Sequence, residues 1–530
     1  MGEIKAMKSL KNIYHKYIGV GFFLGFFLVL LTYFTVSEQF AIRAPNAVSQ
    51  SLPNSEVEAT SSVNHLAEHE NQNSSNLEHV TENVEPDVVS ALKKSTPSTN
   101  QEQQEDVSNF KPFVDANEGP KVSDSSPSTN KEEENRVDQD SKPFETRNQV
   151  SHAKVICDTQ TPNSDTCDID GYVRTHGVSS SILLVPEGFS ESHEWKIRPY
   201  SRKHMMSIKD VTVRQLDSPE QAPTCTVKEN IPALVLALGG LIGNYWHDHT
   251  DVLIPLYLAS RKFNGEVQFL VTNIQRWYIG KYMKVFKELS HYEIVDFDKD
   301  DQVRCYPHVH VGIRIQKEFS VVPSLSPEGY SMVNFTKFMR SIYGLPRDAP
   351  ISLRENPSAK LRLMIISRRH PRKIVNLQDI IQLGERLGFE VIIGDPPFNV
   401  NVGEFAKEVN TVDVMMGVHG AGLTNCIYLP TNAVLIQIVP YGNLEKLCKT
   451  DFGVPAVDMK LKYIDYHVTA EESTLLEMLG KDHPAVKDPA AIHQSGWDKI
   501  AEFYLGKQDV RIDVNRFAPV LSKAMEFLRE

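Results

Sequence analysis

Residues 412–425 read VDVMMGVHGAGLTN, an apolar run that passes directly into a glycine-rich turn. A short apolar run bounded by glycines is typical of a buried strand, and the glycines allow a tight turn that a ligand can approach closely. We predict that a helix begins after the turn, and its N-terminus would favour a phosphate or another anion. His419 can hydrogen-bond a phosphate or sugar oxygen, and the alternative is a plain strand-to-helix turn with a surface histidine.

The sequence on both sides of this stretch repeats a strand-then-helix pattern. Alternating apolar strands and amphipathic helices predict an α/β fold with parallel sheets covered on both faces. The pattern restarts after a polar link near residue 350, so we expect two Rossmann-like domains facing a cleft, at 151–350 and 351–530, the first with a β-rich opening segment. The predicted alternating elements are, in chain order, 233–240, 245–263, 267–272, 276–290, 292–297, 361–367, 376–388, 389–394, 402–410, 412–418 and 433–440.

A basic loop follows the predicted strand 361–367 and reads SRRHPRK at residues 367–373. Guanidinium groups bind phosphate oxygens in a bidentate manner, and cations stabilise the charge that develops on a diphosphate leaving group. In open α/β sheets ligands bind at the carboxyl ends of strands, where both this loop and the glycine turn are expected. The alternative is a solvated basic loop without a ligand.

Polar residues also begin the first long predicted helix, which follows the strand 233–240. Asn244, His247 and Asp251 share one helical face by their spacing, and a histidine or carboxylate on a cleft face can act as a general base. Asp248 is a weaker candidate for this role. The alternatives are an N-cap formed by Asn244, ordinary surface polarity, and a metal site that would still need a further protein ligand.

Two further patterns could bind a metal ion but have structural alternatives. Asp296 and Asp298 form an Asp-x-Asp pair after a predicted strand, and His308 and His310 alternate on another. Both arrangements are common without metal, and we favour structural roles for them. We therefore predict no metal ligands and leave a requirement for a divalent metal open.

The N-terminal region predicts a membrane anchor. Residues 17–36 carry no charge, and a helix of about 20 residues spans the hydrocarbon core of a bilayer. Lysines dominate residues 1–16, which favours a cytoplasmic tail and a type II orientation. A cleaved signal peptide, the alternative, usually has a shorter apolar core. Residues 37–150 are too polar to bury a core and predict a disordered acidic stem.

Charge, cysteines and glycosylation sequons agree with a lumenal chain. The formal net charge of −12 argues against a nucleic-acid partner. Six cysteines permit disulfides in an oxidising lumen, and we predict the pairs Cys157–Cys167 and, more weakly, Cys426–Cys448. Asn73 and Asn334 begin N-glycosylation sequons.

The chain from residue 155 onward resembles glycosyltransferase family 61, and in particular its plant branch of xylan arabinosyl- and xylosyltransferases. The matching motifs, in order, are N-x-x-H-x-x-x-D at 244–251, S-R-R-x-x-R at 367–372 and G-V-H-G-A-G-L-T-N at 417–425. The resemblance implies a GT-B fold, inversion at the anomeric carbon, a UDP-sugar donor as co-substrate, and no obligatory metal. It also implies that the acceptor lies mainly on the first domain and the donor on the second.

The resemblance also assigns residues to roles. It makes His247 or Asp251 the catalytic base, with Asn244 beside them in the same motif. The residues implied to bind the nucleotide sugar are Arg368, Arg369, Arg372, Gly417, His419, Gly420, Ala421, Gly422, Thr424, Asn425, Glu445 and Lys449.

These features together predict a single-pass type II protein of the Golgi membrane that transfers xylose or arabinofuranose from UDP to a xylan hydroxyl. One alternative is a xylosyl- or N-acetylglucosaminyltransferase acting on glycoprotein glycans. Another is a catalytically silent scaffold of a polysaccharide-synthesis complex. A glycosyltransferase complex or a homo-oligomer is a further expectation, and the Golgi location follows from the resemblance rather than from the predicted membrane helix.

Overall fold

The computed structural model describes residues 153–369, 371–395 and 402–529. The predicted cytoplasmic tail, membrane helix and stem, together with the sequon at Asn73, lie outside these residues. Within the described ranges, no helix combines the length and the apolar character needed to cross a bilayer.

Among the described residues, ten strands form a first, mixed sheet. They alternate buried and exposed side chains in the opening segment and become fully buried in β7 and β8, as expected for strands covered on both faces. The strands are Lys154–Asp158 (β1), Thr166–His176 (β2), Ser181–Val185 (β3), His193–Ile197 (β4), Val211–Gln215 (β5), Val227–Lys228 (β6), Ala233–Ala237 (β7), Gln268–Thr272 (β8), Val295–Asp296 (β9) and Val303–Val311 (β10).

The order across this sheet is β4-β5-β3-β2-β10-β7-β8-β9, with β1 paired to β2 and β6 paired to β10. The predicted β-rich opening segment therefore continues the same sheet, because β2 pairs antiparallel with β10. From β10 through β7 and β8 to β9 the pairing is parallel. The sheet order reverses at β7, since β8 lies on one side of β7 and β10 on the other.

The second sheet is entirely parallel and has the order β12-β11-β13-β14-β15. Its order reverses between β11 and β13, which creates a topological switch point where a crevice opens at the carboxyl ends of the strands. Its strands are Arg362–Ile366 (β11), Glu390–Gly394 (β12), Val414–Val418 (β13), Val434–Val439 (β14) and Lys462–His467 (β15).

Helices cover the sheets largely where the sequence predicts them. The α-helices are Tyr245–His247 (α1), Ile254–Ser260 (α2), Arg276–Lys281 (α3), Met283–Leu289 (α4), Met332–Ile342 (α5), Leu377–Arg386 (α6), Val402–Asn410 (α7), Glu445–Cys448 (α8), Val454–Asp458 (α9), Thr474–Leu479 (α10), Pro484–Lys487 (α11), Pro489–Gln494 (α12), Trp497–Ile500 (α13) and Val514–Phe527 (α14). The 3₁₀ helices are Pro219–Gln221, Arg261–Phe263, Phe297–Lys299, Pro323–Leu325, Pro327–Gly329 and Ala421–Tyr428. The π-helical turns are Asp248–Leu253, Lys449–Gly453 and Ala501–Leu505.

Two local outcomes differ from simple α-helices. The helix predicted after the glycine turn is the 3₁₀ helix Ala421–Tyr428. The first long predicted helix contains a π-helical turn at Asp248–Leu253, between α1 and α2. Such turns widen a helix locally and often occur at functional sites.

One hydrophobic core joins the two sheets. The largest cluster of buried side chains contains Leu236 of β7 and Phe319 as well as Met364 of β11, Leu423 and Phe452. The first and second sheets therefore share a continuous apolar interior. The predicted boundary between domains, at residue 350, stays a prediction.

The disulfide predictions have opposite outcomes. The predicted bridge Cys157–Cys167 is present and joins β1 to β2. A second bridge joins Cys225 to Cys305. The predicted Cys426–Cys448 pair is wrong, because neither cysteine is disulfide-bonded. Cys426 packs in the core that joins the sheets, whereas Cys448 packs in a separate cluster under the C-terminal helices.

Candidate active site

The arginine loop and the glycine turn meet at the switch point of the second sheet. The loop follows β11 and the turn follows β13, which are neighbours in the sheet. Gly420 has a φ of +142°, which favours glycine, and a Cβ there would overlap the Arg368 guanidinium and lie 3.2 Å from Nη1 of Arg372. Only a glycine therefore lets both arginines lie against the turn.

Arg372 is tied to the turn by its side chain and to the C-terminal part of the chain by its backbone. Its Nη1 donates to the carbonyl oxygen of His419 at 2.8 Å, and its backbone N–H donates to Gln508 O at 2.8 Å. Lys373 N–H donates to Asp509 Oδ1 at 2.9 Å, and Val375 N–H is bonded in the same way to the backbone of Val510. The segment 508–510 thus braces the arginine loop.

The other arginines of the loop differ from one another. Arg368 is half-buried, its Nε donates to Pro371 O at 3.2 Å, and burial lowers the pKa of its guanidinium. Arg369 is exposed and lies outside the contact with Gly420. The structure therefore brings Arg368 and Arg372 to the turn and leaves Arg369 at the surface.

His419 is a buried, neutral hydrogen-bonding group inside the turn. Gln437 Nε2 donates to His419 Nδ1 at 2.9 Å, and Tyr463 in turn donates to Gln437 Oε1 at 2.6 Å. With Nδ1 accepting, the hydrogen of the ring is on Nε2, which faces Asp451 Oδ2 at 3.7 Å. Burial, with Arg372 and Arg368 nearby, lowers the pKa of His419 well below its usual value.

The remaining residues implied by the resemblance lie around this turn. Ala421 and Gly422 are half-buried at the start of the 3₁₀ helix, and Thr424 and Asn425 are buried within it. Gly417 packs against Ile366 of β11, so that a Cβ at Gly417 would lie 3.1 Å from the Cβ of Ile366. Two others, Glu445 and Lys449, are exposed on α8 and the π-helical turn that follows β14.

The second constellation is a buried histidine–aspartate pair. His247 Nδ1 lies 3.1 Å from Asp251 Oδ2, one helical turn away. Asp251 is completely buried and also accepts hydrogen bonds from Tyr200 Oη at 3.0 Å and from Arg202 Nε at 2.9 Å. Burial acts to raise the pKa of Asp251, but Arg202 and His247 hold it at about 2. Asp251 is therefore a buried anion held beside His247, whose Nδ1 is engaged by this contact.

Sequence reasoning missed the residues that hold this pair. Tyr200 and Arg202 come from the segment between β4 and β5, and Arg202 also makes two hydrogen bonds to Glu318, at 2.7 and 3.1 Å. None of these residues lies within a motif or close in sequence to Asp251. The signal that could have found them is the need of a buried carboxylate for a cationic partner, but this need does not say which arginine meets it.

Asn244 and Asp248 have structural tasks. Asn244 Oδ1 caps the helix by accepting from Trp246 N–H at 3.0 Å, which is the N-cap alternative. The Asp248 carboxylate accepts from Gly243 N–H at 2.7 Å, Lys281 Nζ at 2.7 Å and Tyr282 Oη at 2.6 Å. Its oxygens are used within the protein, so Asp248 is poorly suited to act as a base.

Trp246 connects the two constellations. Its indole N–H donates to the carbonyl oxygen of Asp451 at 3.3 Å, and its ring packs edge-on against His247 at 4.9 Å. Phe319 and Phe452 pack between Trp246 and His419, in ring contacts of 5.7 to 6.3 Å. The histidine–aspartate pair and the glycine turn therefore flank one shared aromatic cluster.

In the two sequence patterns with a possible metal role, three side chains have hydrogen-bond partners in the protein, and Asp296 lies 3.5 Å from Lys299 Nζ. Asp298 accepts from Thr272 Oγ1 at 2.7 Å and from Asn273 N–H at 2.6 Å, which fixes the end of β8. His308 and His310 form hydrogen bonds with Asp170 and Asp168 of β2, each at 2.8 Å. In the described part of the chain, no three histidine, cysteine or acidic side chains are arranged to hold a metal ion.

The sequon at Asn334 lies on the first turn of α5. Asn334 is exposed, and its Oδ1 accepts from the N–H of Ser331 at 3.0 Å in a capping box. Its use as a glycosylation site stays a prediction.

Comparison with known proteins identifies the relatives of the chain. The sequence model of a family described as Glycosyltransferase 61 matches residues 245–436, a range that contains the glycine turn, the arginine loop and the histidine–aspartate pair. Alpha-1,3-arabinosyltransferase XAT3 of Oryza sativa subsp. japonica is 44% identical over 71% of this chain and 66% of its own length. The matched segment thus spans about two thirds of that relative.

Two further relatives are covered more completely. Beta-1,2-xylosyltransferase XYXT1 of the same organism is 42% identical over 70% of this chain and 84% of its own length. Xylan glycosyltransferase MUCI21 of Arabidopsis thaliana is 32% identical over 74% of this chain and 83% of its own length. These similarities and the matched range show that the chain belongs to glycosyltransferase family 61.

Proposed function

We propose that this chain is an inverting pentosyltransferase that moves xylose or arabinofuranose from a UDP-sugar to a hydroxyl of xylan. The observation that carries the proposal is the meeting of Arg368, Arg372 and the glycine turn at the switch point, with the His247–Asp251 pair across the aromatic cluster. The names of the relatives support the sugar class, since they include an arabinosyltransferase and a xylosyltransferase, and MUCI21 supports xylan as acceptor.

In this proposal the donor binds at the carboxyl ends of the strands of the second sheet. The guanidinium groups of Arg368 and Arg372 contact the diphosphate and stabilise the negative charge that it gains on leaving. Backbone N–H groups of the turn add hydrogen bonds, because Gly420 and Gly422 allow close approach. Two sheets that each reverse their strand order and share one hydrophobic core are compatible with a GT-B architecture, which we propose as the finer description of the fold.

His247 is the base in this proposal, and Asp251 holds it. With Nδ1–H donating to the Asp251 carboxylate, the Nε2 lone pair is available to accept the proton of the acceptor hydroxyl. The hydroxyl oxygen attacks the anomeric carbon as the bond to the diphosphate breaks, and the configuration inverts. We propose His247 rather than Asp251 as the base, because the Asp251 carboxylate has three hydrogen-bonding partners within the protein and its pKa is lowered.

The proposed location of the enzyme is the Golgi membrane, with the catalytic part in the lumen. A lumenal enzyme with the predicted anchor at 17–36 meets nucleotide sugars and growing xylan in the Golgi. The charged, completely buried Asp251 beside a histidine supports the enzyme over the scaffold hypothesis, because strongly perturbed charged groups cluster at functional sites.

The donor and acceptor are tested with the full-length chain in detergent. UDP-xylose, UDP-arabinofuranose and UDP-N-acetylglucosamine are offered with xylo-oligosaccharides or with glycopeptides, and products are identified by mass and linkage. We expect one pentose on xylo-oligosaccharides. A His247→Ala variant, purified in the same way, serves as the control for transferase activity from contaminating enzymes. Transfer of N-acetylglucosamine to glycopeptides would favour the alternative enzyme, and no transfer from any donor would favour the scaffold.

The assignment of the base is tested by kinetics. His247→Ala should lower kcat by about 10²–10⁴-fold, the usual contribution of a general base. Asp251→Asn should lower kcat less, because the imidazole remains but loses its anionic partner, and it should alter the pH profile of kcat. His291→Ala, which removes an exposed histidine bonded to Glu266, serves as the control and should leave kcat unchanged. Wild-type kcat in His247→Ala would refute this role.

The donor site is tested at Gly420. Gly420→Ala places a methyl group against Arg368 and strains a backbone with φ of +142°, so we expect UDP affinity to fall at least about tenfold, as judged by calorimetry. Gly388→Ala is the matched control, since Gly388 has φ of +99° but no neighbour within reach of a Cβ. Equal affinity in Gly420→Ala and Gly388→Ala would argue against a diphosphate at the turn.

The orientation is tested in sealed Golgi vesicles. External protease should remove only the short tail before residue 17, and the rest should become sensitive after detergent is added. A tagged chain should co-localise with a Golgi marker. Digestion of the catalytic part in intact vesicles would contradict the type II orientation, and a location in another membrane would contradict the Golgi assignment.

A further inference from the structure

The two halves of the chain contain the same short pattern at matching places. Residues 250–255 read TDVLIP and residues 450–455 read TDFGVP, so Thr-Asp is followed by proline at the fourth position after the aspartate. Each pattern lies in a π-helical turn that leads into an α-helix, Asp248–Leu253 before α2 and Lys449–Gly453 before α9.

The proline explains part of this geometry. In an α-helix the carbonyl of each residue accepts from the N–H four residues later, and proline has no N–H. The carbonyl groups of Asp251 and Asp451 therefore lose that donor. At Asp451, the indole N–H of Trp246 donates to this carbonyl instead, at 3.3 Å.

Each of the two aspartates also faces a histidine of its own site. Asp251 Oδ2 lies 3.1 Å from His247 Nδ1, and Asp451 Oδ2 lies 3.7 Å from His419 Nε2. The second distance is within the range of an electrostatic contact but longer than a direct hydrogen bond. Because Gln437 donates to Nδ1 of His419, the N–H of the ring points toward the Asp451 carboxylate.

From this correspondence we propose that Asp451 is a positioning residue of the donor site and acts through His419. The inference rests on the proposed donor role of the glycine turn. The Asp451 carboxylate faces the His419 ring, and its backbone carbonyl is bonded to Trp246. It holds the imidazole between itself and Gln437, and the carbonyl of the same histidine receives the hydrogen bond from Arg372. Fixing His419 thus fixes both the turn and an arginine.

The same residue also links the donor site to the base. The carbonyl oxygen of Asp451 is bonded to Trp246, whose neighbour in sequence is His247. One residue therefore contacts the donor turn through its side chain and the base-bearing helix through its backbone. Substituting the side chain of Asp451 should affect donor binding first, and Trp246→Phe should affect kcat more than UDP affinity.

The proposal is tested by UDP binding to the full-length chain, measured by calorimetry, with variants at Asp451 and His419. Asp451→Ala removes the group that faces His419 and should weaken UDP binding about tenfold, and Asp451→Asn, of nearly equal size, should bind with intermediate affinity. The double variant His419→Ala/Asp451→Ala should bind no more weakly than His419→Ala alone, because Asp451 acts through the histidine. Asp482→Ala, at an exposed aspartate, is the control and should bind as the wild type does.

The outcomes separate this inference from the proposed function. Losses that add in the double variant, or wild-type affinity in both Asp451 variants, would overturn the positioning role while leaving pentosyl transfer intact. If Asp451→Ala does not fold, as judged by its melting curve, Asp451→Asn replaces it in both the single and the double variant. The same comparison with His419→Ala then tests the positioning role. Failure of the wild-type chain to bind UDP would overturn the donor site on which both proposals rest.

Discussion

The candidate base depends on keeping the carboxylate of Asp251 charged in the interior. An isolated ionised group there would be very costly, but Arg202, Tyr200 and His247 surround it, and Glu318 balances the arginine. Because Arg202 precedes β5 while Asp251 follows β7, this neutralisation fastens the opening strands to the helix that carries His247. The opening segment thus contributes residues to the candidate site itself.

The parts of the site that follow strand ends could be predicted from sequence. Parallel strands bring their carboxyl ends to one edge, so an arginine loop after β11 and a glycine turn after β13 had to lie at the same edge. The spacing of His247 and Asp251 likewise predicts their contact, because residues four apart are neighbours on a helix. These predictions need only local periodicity and one general rule of α/β sheets.

Other parts depend on contacts between distant segments, which no local pattern reports. Arg202 meets Asp251 across 49 positions of sequence when the first sheet packs, and Trp246 reaches Asp451 across 205 positions only when the two sheets pack together. The predicted Cys426–Cys448 bridge failed for the same reason. The chain between Cys426 and Cys448 passes through β14. The two thiols therefore lie in different hydrophobic clusters, although they are close in sequence.

The brace at residues 508–510 also determines when, during synthesis of the chain, the arginine loop can be fixed. The hydrogen bond from Lys373 to Asp509 joins residues 136 positions apart in sequence. The backbone N–H of Arg372 is bonded to the same segment, at Gln508. Since a nascent chain is made from its N-terminus, residues 508–510 emerge long after the arginine loop that they brace. The ribosome must nearly finish the polypeptide before this brace can form, so a chain truncated before residue 508 would leave the arginine loop without it.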